Sequence, residues 1–399
     1  MTPVDHTRRR HALPFRRYAS LLAALTVLSL AAACSSSSSS SSGSAPASSS
    51  SGSASGLSAA DQAGLAKAQA FVAQYEQRPT QITDITKVTG TIPKNKLIDF
   101  IPCGAVPECL QEGNIVKQDA AMAGWTTKIL TNDGSPQQSK AAFEQVVRDK
   151  AAAVLYTAIP AATFSSLLPQ LNANGTVIST CCVTDPTGPT TGIDYNIDNL
   201  AQVGPIAGAQ AAWVASDSKD TANSLYVNIP DFAILNTQFS NYKAGMSTYC
   251  PSCQVSELNI ALANISTATT NIVSYLRAHP SVNYVIASTD SVTIGLPAAL
   301  KAAGLDTKVK IVGQGATPVN LQYLHSGQEA ADVAFPYFEA MYSMVGAVFQ
   351  HYAGMQIAAS VAPPLWILTP SNAPTATQAF PVVTAYQTQY GTLWGVSGG

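Results

Sequence analysis

Short apolar runs recur along the chain, separated by longer amphipathic stretches. One series falls at residues 97–101, 127–130, 153–156 and 176–179, and a second at 225–229, 254–258, 283–287, 308–312 and 330–334. Each run is only four or five residues long and mostly apolar or small, the pattern of a buried strand. The stretches between them repeat at helical spacing. Phe143, Val146 and Val147 share one helix face, and Ile265, Ala268, Ile272 and Leu276 share another. Successive runs lie roughly 22 to 30 residues apart, the length of one strand–helix–strand unit with a right-handed crossover. The chain is therefore predicted to be α/β, with two similar doubly wound parallel-sheet lobes in series.

Two helices fall outside this alternation. One is predicted at 59–75, before a break at Arg78-Pro79. The other, at 337–352, carries Phe338, Met341, Tyr342, Val345, Val348, Phe349 and Tyr352 on one broad side, which reads as a packing face. A lone helix after the second series must return to the first lobe. Three crossings are thus expected, near 196–199, 334–337 and 353–361. The lobes are expected at 94–197 with 336–356, and at 198–335 with 357–399, preceded by a helical extension at 59–93.

The first 34 residues read as an address. Arginines up to Arg17 precede an apolar run ending at Leu30, then Ala31-Ala32-Ala33-Cys34. The run is too short for a stable transmembrane helix. Cys34 after three alanines resembles a bacterial lipobox, with Ala31 where Leu is usual. The resemblance implies a leader at 1–33 and a lipidated Cys34 on the outer face of the cell membrane. A plain secreted protein cut nearby is the alternative. Residues 34–58, nearly all Ser, Gly and Ala, form a flexible tether that cannot bury a core.

Charge excludes one function class. Of 21 basic and 23 acidic residues, five arginines and Asp5 lie before Cys34, leaving sixteen basic against twenty-two acidic. No nucleic-acid partner is expected. Cysteine use agrees with an oxidising compartment. With Cys34 lipidated, six cysteines remain, which allow fifteen pairings. Short loops favour Cys103–Cys109 and Cys250–Cys253, leaving Cys181 and Cys182 to close on each other or to bridge to Cys103 and Cys109. Zinc binding or redox chemistry at Cys250-Pro-Ser-Cys253 competes, but no second CxxC or spaced His pair accompanies it.

In open α/β sheets ligands bind beyond the carboxyl ends of the strands. Two facing lobes would line a cleft with the loops that follow each strand. From here the chain, over about 94–360, resembles the type 1 periplasmic binding proteins, the ribose-binding-like solute receptors of ABC importers. The resemblance rests on ordered matches: Ala278-His279-Pro280, Ala287-Ser288-Thr289-Asp290, Ile294-Gly295-Leu296-Pro297, Ile311-Val312-Gly313, Thr317-Pro318 and Ala331-Asp332-Val333-Ala334. Gly134-Ser135-Pro136 and Asp194-Tyr195-Asn196-Ile197-Asp198-Asn199 belong to the same series.

The strand-end loops and the resemblance together place ligand contacts at Cys103, Gly104, Glu108, Thr157, Cys181, Cys182, Asp231, Phe232, Thr289, Asp290, Gln314, Gly315, Phe335 and Tyr337. Several sites depart from the sugar receptors. Their Asn-Asp pair becomes Thr289-Asp290, a later Asp becomes Gly315, an Asp-Arg pair becomes Cys181-Cys182, and a Gln becomes Phe335. An Asn becomes Thr157, and an arginine falls near Ser240 or Tyr242. Most bidentate hydroxyl contacts are thereby lost, so a simple pentose is disfavoured. A neutral, sugar-like or partly aromatic solute is expected. Asp290 reads equally well as the N-cap of a helix at 292–303, and Glu108 as a loop-tip surface charge.

The implied partners are a small-molecule solute and an ABC transporter permease, with membrane attachment only through the lipid. No cofactor or metal is implied, and a monomer is expected. A receptor of this fold that signals to a membrane partner is the alternative. An extracytoplasmic hydrolase is disfavoured. After the leader only His279, His325 and His351 remain, none on a predicted cleft loop, and no G-x-S-x-G is present.

Overall fold

A computed structural model describes residues 57–396 apart from 84, 200 and 201. The expected leader, Cys34 and most of the tether lie outside the described residues.

Ser58 opens α1 (Ala59–Tyr75), its hydroxyl oxygen accepting from the Asp61 N–H. The first lobe follows: β1 (Leu97–Ile101), α2 (Pro107–Met122), β2 (Thr126–Ile129), α3 (Pro136–Asp149), β3 (Ala153–Thr157), α4 (Leu168–Asn174), β4 (Val177–Cys181) and β5 (Tyr195–Ile197). Local chemistry sets the helix ends. Ser135 caps α3 with Pro136 at its first turn, and Gly175 ends α4 in the left-handed region. The sheet order is β2-β1-β3-β4-β5, parallel throughout.

The second lobe contains α5 (Gly204–Ser218), β6 (Asn223–Asn228), α6 (Ala233–Tyr249), β7 (Gln254–Asn259), α7 (Ala268–Ala278), β8 (Tyr284–Ala287), α8 (Leu296–Ala303), β9 (Lys310–Gln314), α9 (Pro318–His325) and β10 (Ala331–Ala334). The chain then crosses back through α10 (Tyr337–Tyr352), returns as β11 (Trp366–Leu368), and ends with α11 (Tyr386–Trp394). The second sheet runs β11-β10-β9-β8-β6-β7, with β11 antiparallel to β10 and the other pairs parallel. Two separate sheets and three crossings match the expected architecture.

All nine predicted strands form, with ends shifted by up to two residues. The additions, β5 and β11, are three residues each, too short to carry a periodic signal. Helix α10 is buried almost all round, which explains its broad apolar side. Its Phe349 meets Trp125 edge-on at 5.4 Å, and the Trp394 ring of α11 stacks 4.9 Å from Tyr342. Residues 357–399, expected with the second lobe, therefore divide: β11 joins the second sheet, whereas α11 rides on a helix of the first.

The extension at 59–93 spans both lobes. Helix α1 lies against α5 and α6 so closely that a Cβ on Gly64 would come 2.5 Å from the Tyr249 carbonyl oxygen. Beyond it, Arg78 donates to the carbonyls of Pro381 and Val382, Val88 N–H donates to Leu393 O, and Trp125 Nε1 donates to Pro93 O.

Candidate functional site

The strand ends of the two sheets face each other, and between them lies a cavity of about 90 Å³. The first lobe contributes the loop after β1, the start of α2, and the residues just beyond β3, β4 and β5. The second contributes the ends of β6, β8, β9 and β10 with the start of α6, and the first turn of α10 adds Tyr337 where the chain crosses back to the first lobe.

Nine of the fourteen expected contact residues line this space: Cys103, Glu108, Thr157, Cys182, Phe232, Thr289, Gln314, Phe335 and Tyr337. Five do not. Gly104 lies against Gly134, and Cys181 is buried within β4. Asp231 turns outward to accept the Leu262 N–H at 2.8 Å. Asp290 sits behind the wall, accepting from Gln314 N at 3.0 Å and Thr317 N at 2.8 Å. Gly315, at φ 138°, packs its backbone under Asp290 and Tyr337.

Two readings made from the sequence are corrected. Asp290 does not cap a helix at 292–303. It opens a short 3₁₀ turn, Asp290–Val292, and α8 begins only at Leu296. Its carboxylate instead holds the loop after β9. Glu108 is not a surface charge either. It occupies the first turn of α2 and is 6% exposed.

Glu108 reaches across the cleft. Its Oε1 accepts from Ser291 N at 3.0 Å, Ser291 Oγ at 2.7 Å and Thr289 Oγ1 at 3.3 Å. The Ser291 hydroxyl also lies 2.5 Å from Oε2. One helical turn later, Glu112 lines the cavity and accepts from Thr157 Oγ1 at 2.7 Å. Burial pushes the Glu112 carboxyl up to about 8, against the opposing Thr157 hydrogen bond and with help from Glu108. Asp198, at φ 52° after β5, is pushed up to about 7 by burial alone, and its Oδ1 has no hydrogen-bond partner. Among the described residues no Lys, Arg or His lines the cavity.

The apolar wall is formed by Phe232, Ile234, Leu235, Phe335 and Tyr337, the last two rings 4.8 Å apart. Opposite, the adjacent cysteines Cys181 and Cys182 are bonded to each other, and Cys103–Cys109 closes the loop into α2. Cys250 pairs with Cys253 in the turn from α6 to β7, away from the cleft. Sequence reasoning missed Glu112, Asp198, Gln238 and Ser291. Glu112 was detectable as the residue four positions after Glu108 on the same helix face. Asp198 and Ser291 depend on which way a turn faces, and Gln238 on which face of α6 meets the cleft.

The profile of the periplasmic binding protein domain family matches residues 111–356, more than half of the chain. The chain belongs to this family. Solved structures share the type 1 periplasmic binding fold. An ABC sugar transporter subunit from Rhodobacter sphaeroides is 18% identical, with a TM-score of 0.61 over 70% of this chain and 99% of that one. A Mycobacterium smegmatis protein in complex with β-D-fucofuranose is 17% identical, TM-score 0.62, covering 75% of this chain and 98% of that one. An ABC transporter solute-binding protein from Bacillus halodurans with bound myo-inositol is 17% identical, TM-score 0.59, covering 70% and 96%. No curated protein matches the sequence.

Among the described residues the polar groups of the cleft are carboxyls, hydroxyls and amides, without a cationic side chain. Such a lining can accept and donate hydrogen bonds to a small solute but offers an anion no ion-pair partner.

Proposed function

We propose that the protein is a lipid-anchored extracytoplasmic receptor. It holds a small neutral solute, sugar-like or partly aromatic, between its lobes and delivers it to an ABC importer. The observation that carries this reading is the interlobe cavity clasped by Glu108 on one side and Thr289 and Ser291 on the other. Glu112 and Asp198, with carboxyls raised to about 8 and about 7, can donate as well as accept at neutral pH, as hydroxyls of an uncharged solute require. Phe232, Phe335, Tyr337 and Cys182, which is bonded to the buried Cys181, supply apolar faces for a ring. The solved neighbours with bound fucofuranose and myo-inositol support the same class of ligand.

Binding, not catalysis, is the proposed role. The three histidines lie elsewhere: His279 stacks on Tyr275, His325 meets Pro374 O, and His351 packs on Tyr352. The lobes at 94–197 with 336–356 and at 198–335 with 357–399 would close about their three crossings, with α11 carried on the first. The protein acts as a monomer in this scheme. A thermal-shift screen against sugars, polyols, nucleosides, amides and aromatic acids tests the reading. A neutral polyol or ring-bearing solute should raise the melting temperature with saturable dose. Stabilisation by anions alone would overturn it.

A further inference from the structure

Behind the second lobe's cleft wall, three carboxylates converge in the interior. Asp290 follows β8, Asp332 lies within β10, and Glu329 precedes β10; their exposures are 0%, 0% and 1%. One oxygen from each lies within 4.8 Å of the others. Asp332 pairs in register with Gly313 of β9, so the missing side chain at 313 leaves room beside it. A Cβ built on Gly313 would lie 2.7 Å from Asp332 Oδ2 and 2.8 Å from Asp290 Oδ1, and closer still to Glu329 Oε1. The three oxygens thus converge on one another beside the bare Gly313 backbone.

Backbone N–H groups fix two of these side chains from behind. Asp290 is held by Gln314 and Thr317, and Asp332 by Ala316. Glu329 differs. Its Oε2 accepts from Asn320 Nδ2 at 2.8 Å, while Oε1, buried and pointed at Asp290 and Asp332, meets no N–H or hydroxyl donor and has only the Asp332 carboxyl within hydrogen-bond reach. Neither ion pair among the described residues involves any of the three. Like charges this close in a low-dielectric interior repel strongly unless a proton or a cation intervenes.

We propose that Asp290, Glu329 and Asp332 form a buried site for a hard divalent cation of the calcium type. Any three oxygens at most 4.8 Å apart share a point within about 2.8 Å of all of them, near calcium–oxygen bonding range. The donors are oxygen only, which disfavours zinc and copper, and calcium tolerates an irregular shell. The site is separate from the solute cavity but adjoins it. Asp290 sits between Thr289 and Ser291, the two residues that clasp Glu108, and holds the backbone of Gln314, which lines the cavity. Cation binding should therefore stiffen the second lobe's share of the cleft.

The test uses the full chain, stripped with EDTA and titrated with calcium chloride while melting temperature and retained metal are measured. About one calcium per chain and a saturable rise in melting temperature are expected. Glu329→Gln, and independently Asp332→Asn, should remain folded by circular dichroism yet bind calcium at least about tenfold more weakly. The proposal is overturned if the stripped chain retains no calcium and gains no stability from it. It is equally overturned if both variants keep the calcium response, or if either is more stable than the parent chain in calcium. The last result would mean that shared protons, not a cation, hold the cluster. None of these outcomes depends on the identity of the solute.

Discussion

Replacing Glu108 with alanine should loosen the interlobe contact. In the structure its Oε1 takes the Ser291 N–H at 3.0 Å and the Ser291 hydroxyl at 2.7 Å, with a longer contact to Thr289 at 3.3 Å. A hydrogen bond to an ionised group is worth about 1.5–3 kcal/mol net, since water competes for both partners once the lobes part. Burying the carboxylate costs part of this gain. Two good bonds less that penalty leave about 3 kcal/mol favouring contact, roughly a 150-fold change in the ratio of closed to open molecules. The Ser291 amide reports this directly, because Glu108 is the partner that protects it. Hydrogen exchange of the segment spanning β8 to α8 should accelerate by up to about that factor in Glu108→Ala, with Glu108→Gln intermediate because one acceptor oxygen remains. Any stabilising solute should bind correspondingly more weakly, with the lobes' own melting temperatures little changed. Unchanged exchange at Ser291, in a folded variant with unchanged solute affinity, would refute the clasp.

Glu112 has its carboxyl raised from 4.5 to about 8 by burial, so it contributes stability that is fully present below about pH 4.5 and lost as pH rises through 8. Glu112→Gln should abolish that share of the decline, a difference of a few kcal/mol at pH 9; parallel melting curves across pH 5–9 would count against it. The double variant Cys181→Ser/Cys182→Ser should lose solute affinity by about tenfold through removal of an apolar face, and mass mapping of unreduced protein should find the two cysteines joined. Rapid alkylation of both thiols without reductant would contradict the pairing, and unchanged affinity would reject the packing role. Cys34→Ala should release the protein from membranes, since no helix among the described residues is long and apolar enough to cross one; retention on washed membranes would reject the lipid anchor.

The architecture was legible in the sequence because buried parallel strands leave a strong local mark. Runs such as 153–156 and 283–287 must be apolar on both faces, and the crossover helices impose a spacing that the chain repeats twice. Helix α10 was equally visible, since burial on nearly all sides writes itself into its composition. Strands β5 and β11 were invisible: three residues cannot show a period, and what makes them strands is a neighbour's unpaired edge. The extension at 59–93 announced a helix, but nothing in its sequence said that it would lie on the second lobe and run back to the first.

The loops that form the cleft followed from topology, because strand ends lie where the strands end. Which side chains face the cavity did not. Asp290 and Asp231 are polar residues on the expected loops, yet one turns inward to backbone N–H groups and the other outward to Leu262. Glu108 looked like a surface charge because its partners, Thr289 and Ser291, lie more than 180 residues away. The acidic cluster of Asp290, Glu329 and Asp332 is likewise assembled from a loop, a turn and a strand brought together by the pairing of β9 with β10. Periodicity is a property of neighbours in the chain and specifies elements. The direction of a side chain in a turn, and the meeting of charges from opposite lobes, depend on contacts between distant segments, and only the tertiary structure decides them.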